Sequence, residues 1–234
     1  MRPDEAMAFV ESHPLPDFKT HAVIGFVHPG EVRAEFCTSL IATAMQGNTR
    51  IDQVIAYESG PNISTARNLV AAEFLDNQRA PWLLMCDTDM VFAPTALDRL
   101  IAAAHPVERP IVGALCYSPM AGELYPTMYE MVEKGPGRFG FVRPTTVPDD
   151  QLVKLSATGT GFLLVHRSAL AKVRETSGDA SAPWFRETAV GEPMALMGED
   201  LTFCLRAGLA GIPVHVHTGV QVGHMKSNML GKVI

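Results

Sequence analysis

The strongest constraint on the fold is a repeated alternation of short apolar runs with longer stretches of helical character, which begins at His21. The apolar runs of the first half have the length of strands and lie at 22–27, 51–57, 82–86 and 110–115. Helices are predicted between these runs, at 32–45, from Ser64 or Thr65 to Gln78, and at 94–104. Short strands that alternate with helices predict an α/β fold whose central sheet is mostly parallel and flanked by helices on both faces. In such sheets, ligands bind beyond the carboxyl ends of the strands.

The second half of the sequence has a weaker pattern. Residues 117–150 contain several Gly and Pro residues and predict a loop-rich insertion, with short strand-like pieces such as 126–132. Residues 176–197 show no regular period. Further strands are predicted at 153–155, 162–165, 213–217 and 220–222, and further helices from Ser168 and at 199–207. The expected fold therefore includes a smaller antiparallel portion toward the C-terminal half.

The length favours a single domain, because single cores grow to about 250 residues before chains divide. Residues 1–20 contain three prolines without a clear period and predict an irregular lead-in, so the domain is expected to span 21–234. The formal net charge of -6 provides no overall basic field for nucleic acid or an anionic membrane. No apolar run approaches the roughly 20 residues of a membrane span, and no signal peptide is evident. We therefore expect a cytoplasmic protein, with its four dispersed cysteines reduced.

Two aspartates, Asp87 and Asp89, directly follow the predicted buried strand 82–86. Carboxylates this close repel each other unless a cation or hydrogen-bond donors compensate their charge. A hard divalent ion such as Mn²⁺ or Mg²⁺ provides that compensation, and it can also bridge the oxygens of a diphosphate. The alternative is a strand-end turn in which Asp87 caps the helix near Pro94.

Several short motifs follow one another in an order that is more specific than any one of them. They are the strand end His28-Pro29, the segment Ala66-Arg67-Asn68, Asp87-Thr88-Asp89, Gly159-Thr160-Gly161, Gly198-Glu199-Asp200, and the late histidine His224. Over roughly residues 21–226, this order resembles the A-type glycosyltransferase fold (GT-A). The resemblance is greatest to the family 2 group of inverting transferases and its phage and bacterial relatives. It implies a nucleotide-binding half at 21–116 and an acceptor-binding half at 117–234.

The resemblance also implies where a nucleotide-sugar donor and its metal ion bind. The implied ligands of Mn²⁺ or Mg²⁺ are Asp87, Asp89 and His224, and a neutral imidazole suits Mn²⁺ better than Mg²⁺. The implied donor-nucleotide residues are His28, Pro29, Glu58, Ser59, Gly60, Arg67, Asn68, Asp87, Thr88 and Lys226. Within this set, Arg67 and Asn68 lie in the first turn of a predicted helix, where free N–H groups and a guanidinium favour an anion.

Acids at a helix start, such as Glu199 and Asp200, are common as caps and dipole complements. In the inverting members of the family, acids at this place supply the general base. The resemblance therefore implies that Asp200 deprotonates the acceptor hydroxyl, with Glu199 as the second candidate. The residues expected to contact the sugar or the acceptor are Gly159, Thr160, Gly161, Trp184 and Glu199. For Trp184, packing in the core is an equally good interpretation.

Together these features predict a metal-dependent glycosyltransferase that moves a sugar from a UDP- or GDP-linked donor to a hydroxyl acceptor, with inversion. A retaining route with the same metal site stays open. The acceptor could be a glycan, a lipid-linked sugar, a protein or a modified DNA base. One alternative is a phosphohydrolase similar to haloacid dehalogenases, with Asp87 as nucleophile, although that motif normally follows the first strand. The other alternative is a sugar-binding relative without activity.

Overall fold

A computed structural model of the protein describes residues 21–120, 123–190 and 195–226, and the predicted lead-in 1–20 lies outside these ranges. The described helices are α1 (Ala34–Gln46), α2 (Ile63–Asn77), α3 (Ala96–Ala103), α4 (Arg167–Thr176) and α5 (Glu199–Leu209). The strands of the first half are β1 (His21–His28), β2 (Arg50–Glu58), β3 (Trp82–Asp87), β4 (Met90–Val91), β5 (Ile111–Leu115), β6 (Tyr117–Met120), β7 (Glu123–Pro126), β8 (Met128–Gly135) and β9 (Arg138–Val142). Those of the second half are β10 (Leu152–Leu155), β11 (Ala157–Thr158), β12 (Phe162–His166), β13 (Thr188–Val190), β14 (Ala195–Met197), β15 (Val214–Gln221) and β16 (Gly223–His224).

The central sheet has seven strands in the order β10-β15-β5-β12-β3-β1-β2. Strands β2, β1, β3, β5 and β15 run in one direction, whereas β12 and β10 run antiparallel to their neighbours. The sheet is therefore mostly parallel, as the sequence predicts. Because β1, β2 and β3 are mutually parallel, their carboxyl ends meet at one edge.

Successive residues of β1 and β3 contribute alternately to two clusters of buried side chains, as expected when neighbours on a strand point to opposite sides. Val23 and Leu83 belong to the cluster that includes residues of α2, α4 and α5. Ile24 and Leu84 belong to the cluster that includes residues of α1 and α3. These strands therefore have no side turned to solvent, which explains why each is an unbroken apolar run rather than an alternating one.

The loop-rich insertion predicted for 117–150 is wrong in one respect. This stretch contains β6 paired with β7, and β8 paired with β9, each antiparallel. These strands are half-buried or exposed along much of their length, so their apolar pattern is weak. A short antiparallel pair, β13 and β14, likewise lies in the region predicted to be irregular.

All four cysteines are free, and Cys86, Cys116 and Cys204 are buried. No helix in the described part of the chain combines the length and the apolarity that a membrane span requires.

Candidate functional site

A cleft of about 680 Å³ opens at the carboxyl ends of β1, β2 and β3. Each strand delivers at least one wall residue as it leaves the sheet: Pro29 follows β1, Ser59 follows β2, and Asp87, Thr88 and Asp89 end or follow β3. The remaining walls are Val27, Glu31, Val32, Arg33, Ile63, His224 and Lys226. The cleft therefore lies where a parallel sheet places its ligands.

The late histidine reaches this cleft through a short pairing of strands. β16 runs antiparallel to β4, with Gly223 opposite Val91 and His224 opposite Met90. The amide of Met225 also donates to the carbonyl oxygen of Asp89 at 2.8 Å. This ladder brings the segment around His224 against the turn that follows β3, although the two are far apart in the sequence.

Asp89 lies between two cationic partners. Its Oδ2 accepts hydrogen bonds from His224 Nε2 at 3.1 Å and from Lys226 Nζ at 2.9 Å. Burial opposes ionisation, but these two bonds outweigh it and lower the pKa of Asp89 to about 2. In return, the hydrogen bond that His224 makes to Asp89 raises the pKa of His224 above its ordinary value. The charge of the Asp89 carboxylate is therefore compensated by its contacts with the His224 ring and the Lys226 ammonium.

The tautomer of His224 is set by the main chain. Its Nδ1 lies 2.9 Å from the carbonyl oxygen of Tyr117, which can only accept a hydrogen bond, so Nδ1 carries a proton. The neutral imidazole then presents the lone pair of Nε2 toward Asp89. His224 Nε2 and Asp89 Oδ2 would then both be acceptors. Because they are 3.1 Å apart, their lone pairs repel each other unless a proton or a cation lies between them. A carbonyl that fixes the outer nitrogen in this way is the usual arrangement for a metal-binding histidine.

The spacing of Asp89 and His224 fits two ligands of one metal ion. Ligands about 2.1 Å from an octahedral ion and at right angles stand roughly 3 Å apart, close to the observed 3.1 Å. Asp87 lines the same cleft, but its Oδ1 is bound elsewhere. Over the described ranges, no group of three or more His, Cys, Asp or Glu side chains is arranged as a metal cage. The residues could therefore supply two adjacent ligand positions, and Asp87 is a further carboxylate on the cleft wall.

Arg67 does not line the cleft but lies beneath it. Its side chain is 5% exposed, and its Nη2 donates to Asp87 Oδ1 at 2.6 Å while its Nη1 donates to Glu199 Oε1. Burial alone would lower the pKa of Arg67, but the surrounding carboxylates raise it. That Arg67 contacts the nucleotide stays a prediction; in the structure its guanidinium is engaged by two carboxylates and is not among the walls of the cleft.

Asp200 occupies the start of α5, beside Glu199. Its Oδ1 accepts from the amide of Leu201 at 2.8 Å, and burial followed by repulsion from Glu199 raises its pKa. A side-chain carbon added at Gly159 would lie 3.7 Å from Asp200 Oδ2, and one at Gly198 would lie 3.1 Å from Oδ1. The glycines therefore leave space around the carboxylate that larger residues would fill.

Two residues predicted to bind ligand instead hold the core together. The Asn68 side chain donates to the carbonyls of Ser64 and Phe185 and accepts from the amides of Trp184 and Phe185, so all of its hydrogen-bonding capacity is used. Trp184 is 2% exposed, and its Nε1 donates to the carbonyl of Leu170. This burial favours the core-packing interpretation of Trp184, and the residue also lines a cavity of about 740 Å³ beside Asn68.

The other predicted residues are distributed unevenly around the cleft. Pro29, Ser59, Thr88 and Lys226 line it. His28, Glu58 and Gly60 are not among its walls: His28 Nδ1 accepts from the amide of Gly30 at 3.2 Å, Glu58 is exposed at the end of β2, and Gly60 forms a turn with φ of 51°. Thr160 is 2% exposed in the loop between β11 and β12.

Sequence reasoning missed six contributors to the site. Five are walls of the cleft: Val27 near the end of β1, Glu31, Val32 and Arg33 between β1 and α1, and Ile63 at the start of α2. For Glu31, Val32 and Arg33, the position just after the first strand is a signal that could have found them. The sixth is the main-chain carbonyl of Tyr117, and no residue type in the sequence marks such a contribution.

No protein-family model matches the sequence, and no curated protein matches it. Among solved structures, the fold is similar to that of A197 from STIV, with a TM-score of 0.59, 14% identity, and coverage of 88% of this chain and 86% of that chain. It is also similar to GalNAc-T7 crystallised with UDP, GalNAc and Mn²⁺, with a TM-score of 0.55 and 12% identity. That match covers 87% of this chain but only 43% of GalNAc-T7. At such identities the likeness is one of fold alone, and it is consistent with a GT-A-like architecture.

Proposed function

We propose that the protein is a metal-dependent glycosyltransferase that moves a sugar from a UDP- or GDP-linked donor to a hydroxyl acceptor. The observation that carries the proposal is the pairing of Asp89 with His224, whose outer nitrogen is held by the Tyr117 carbonyl, beside a cleft at the ends of parallel strands. The fold likeness to GalNAc-T7, a glycosyltransferase whose structure contains UDP and Mn²⁺, supports the same assignment.

Asp89 and His224 would hold the ion, with Asp87 as a further ligand from the same cleft. A bound divalent ion would neutralise the negative charge that develops on the departing nucleoside diphosphate. An imidazole ligand favours Mn²⁺ over Mg²⁺. Lys226, whose ammonium lies 2.9 Å from Asp89 and is 47% exposed, would turn from this carboxylate to a diphosphate oxygen.

The nucleotide would lie against the residues that leave β1, β2 and β3. Pro29, Ser59 and Thr88 line that part of the cleft, and we assign them to the base and ribose. The division into a donor half at 21–116 and an acceptor half at 117–234 belongs to this proposal. The ion site would draw ligands from both halves, because His224 pairs with Asp89 across β16 and β4.

Asp200 would act as the general base and give inversion. Its raised pKa makes its carboxylate a better proton acceptor than an ordinary surface aspartate. Gly159 lies beside Oδ2, since a side-chain carbon added there would be 3.7 Å from it, and its lack of a side chain keeps that side of the carboxylate unobstructed. The acceptor class, whether glycan, lipid-linked sugar, protein or modified DNA base, is left open by the proposal.

The first experiment screens UDP- and GDP-sugars for thermal stabilisation of the protein and for release of the sugar, with and without Mn²⁺. At least one donor is expected to bind only with the metal, and Asp89→Asn and His224→Gln should abolish that response. Asp76→Asn and His105→Gln are matched controls, because both residues are exposed and lie outside the cleft. A protein indifferent to every donor would refute the assignment, and metal-dependent phosphate release from a simple monoester would favour the phosphohydrolase instead.

The second experiment determines the anomeric configuration of the product by NMR. Inversion is expected, and Asp200→Asn should lower kcat by about 10²–10⁴ while leaving nucleotide affinity nearly unchanged. Retention of configuration would exclude Asp200 as a base in a single displacement.

A further inference from the structure

The buried guanidinium of Arg67 joins three elements that are distant in the sequence. It projects from α2 and donates to Asp87 at the end of β3 and to Glu199 at the start of α5, across 20 and 132 residues. A guanidinium presents several N–H donors in a rigid plane, whereas the ammonium of lysine is a single point charge. The two Nη groups of one arginine therefore hold both carboxylates in a fixed geometry that a lysine does not reproduce.

The two neighbouring acids of α5 have different partners. Glu199 is bound by Arg67, and its side chain is 14% exposed. Asp200 forms no ion pair with any residue of the described ranges, and its Oδ1 is held only by the amide of Leu201. A carboxylate bound to a guanidinium is a poor proton acceptor, because protonation would give up the ion pair.

If the protein is the transferase proposed above, we infer that Arg67 is a positioning residue that ties Asp87 to Glu199 and thereby leaves Asp200 as the base. The O–H bond of the acceptor breaks and its proton passes to the Asp200 carboxylate. The acceptor oxygen forms a bond to the anomeric carbon, and the bond from that carbon to the diphosphate breaks with its electron pair leaving on the nucleoside diphosphate. Arg67 touches no substrate in this scheme.

The bridge that Arg67 forms between Asp87 and Glu199, called the tie below, is tested by thermal unfolding. This experiment requires no assumption about function. Arg67→Met should lower the Tm by roughly 10 °C, because it leaves two carboxylates without their cation inside the protein. Adding Glu199→Gln to Arg67→Met should recover part of that loss, although Glu199→Gln alone lowers the Tm. Arg174→Met is the control, since Arg174 forms an ion pair on the surface with a side chain that is 42% exposed. Additive effects, or an Arg67→Met protein as stable as the control, would overturn the tie.

The positioning role is tested by Arg67→Lys, which keeps the charge but cannot bridge both acids. Lysine should recover most of the Tm lost in Arg67→Met, yet kcat should stay at least about 10-fold below wild type with the KM for the donor changed less than about twofold. Recovery of both stability and kcat by lysine would show that Arg67 supplies only charge, and would overturn the inference.

The choice between the two acids is tested directly. Asp200→Asn should lower kcat by at least about 10²-fold, whereas Glu199→Gln should retain more than about a tenth of it, because the glutamine oxygen still accepts from Arg67. Glu175→Gln, an exposed acid on α4, is the matched control. Equal losses in Asp200→Asn and Glu199→Gln would overturn the assignment of the base. If the wild-type protein transfers no sugar at all, the proposed function fails with the base, while the unfolding experiment still decides the tie.

Discussion

Replacing Asn68 by alanine separates a structural role from nucleotide binding. The amide side chain donates at 2.7 Å to the carbonyls of Ser64 and Phe185, and its oxygen accepts from the amides of Trp184 at 3.1 Å and Phe185 at 3.3 Å. Truncation leaves three buried main-chain groups without a partner: the N–H of Trp184, and the N–H and the carbonyl of Phe185. Each buried group that loses its partner costs about 1–3 kcal/mol, so we expect a total loss of about 3–5 kcal/mol after partial relaxation. For a chain of this length the Tm should fall by roughly 10 °C.

The assay is chemical and thermal denaturation monitored by circular dichroism. Asn77→Ala is the matched control on the same helix, because Asn77 is exposed and its Nδ2 donates only to Glu73, at 2.6 Å. Its cost should stay below about 0.5 kcal/mol. Below its unfolding transition, Asn68→Ala should bind UDP or GDP as the wild type does. An Asn68→Ala protein that is as stable as the control but has lost nucleotide affinity would refute the reasoning and return Asn68 to the donor site.

Asp89→Asn and His224→Gln should each weaken Mn²⁺ binding at least about 10-fold in calorimetric titration, and an unchanged Kd would place the ion elsewhere. Mn²⁺ affinity should also rise between about pH 5 and about pH 8. The hydrogen bond with Asp89 raises the pKa of His224, so its proton stabilises the metal-free protein below about pH 6.5 and is lost as pH rises through the raised pKa. An affinity for Mn²⁺ that does not change over this pH range would contradict the prediction. Gly47→Ala would place its added carbon 2.6 Å from the main-chain oxygen of Thr43, so it should cost about 1–3 kcal/mol in urea denaturation. Gly208→Ala, with nothing within 4 Å of its added carbon, should stabilise by about 0.5–1 kcal/mol, and equal effects of the two substitutions would exclude this packing argument.

Several strands of the central sheet were accessible to sequence reasoning because burial on both sides gives them an unbroken apolar run. β1 and β3 are the clearest cases, and the predicted runs 22–27 and 82–86 agree with the observed strands to within a residue at each end. The same physics placed Asp87 and Asp89 at the end of a buried strand. The apolar pattern of neighbouring residues was therefore sufficient to predict β1, β3 and the position of these two aspartates.

The position of β12 in the sheet did not follow from its sequence. Residues 162–166 have the apolar character of any buried strand, but β12 lies antiparallel between β3 and β5. Strand order and direction depend on which strands already in the sheet still have an unpaired edge. The apolar composition of a strand does not specify its partner or the direction of pairing. For a similar reason only part of β8 was predicted, as the strand-like piece 126–132, and β9 was not, since strands with one exposed side have a weaker apolar pattern.

The partners within the candidate site were the least predictable part, because each is a contact between remote segments. The residue types of Arg67, Asn68 and Glu199 all suggest ligand binding when each is viewed alone. The structure instead engages Asn68 with the backbone of the core and Arg67 with two acids, and these contacts depend on a fold that brings α2, β3 and α5 together. Polar type indicates that a buried side chain needs a partner, but only the fold decides whether that partner is protein or ligand.

The same contacts link the two halves of the chain at two separate points. Arg67 connects the end of β3 to α5 beneath the cleft, and the pairing of β16 with β4 connects it to His224 above. Asp87 is thus linked to α5 through Arg67 of α2, whereas Asp89, two residues further on, is bound directly to His224. A shift of the segment 87–89 on metal binding would therefore alter the contacts of both Glu199 and His224. Mn²⁺ should therefore slow amide hydrogen exchange at the start of α5 as well as in β16, and protection confined to β16 would show that the Arg67 connection transmits nothing.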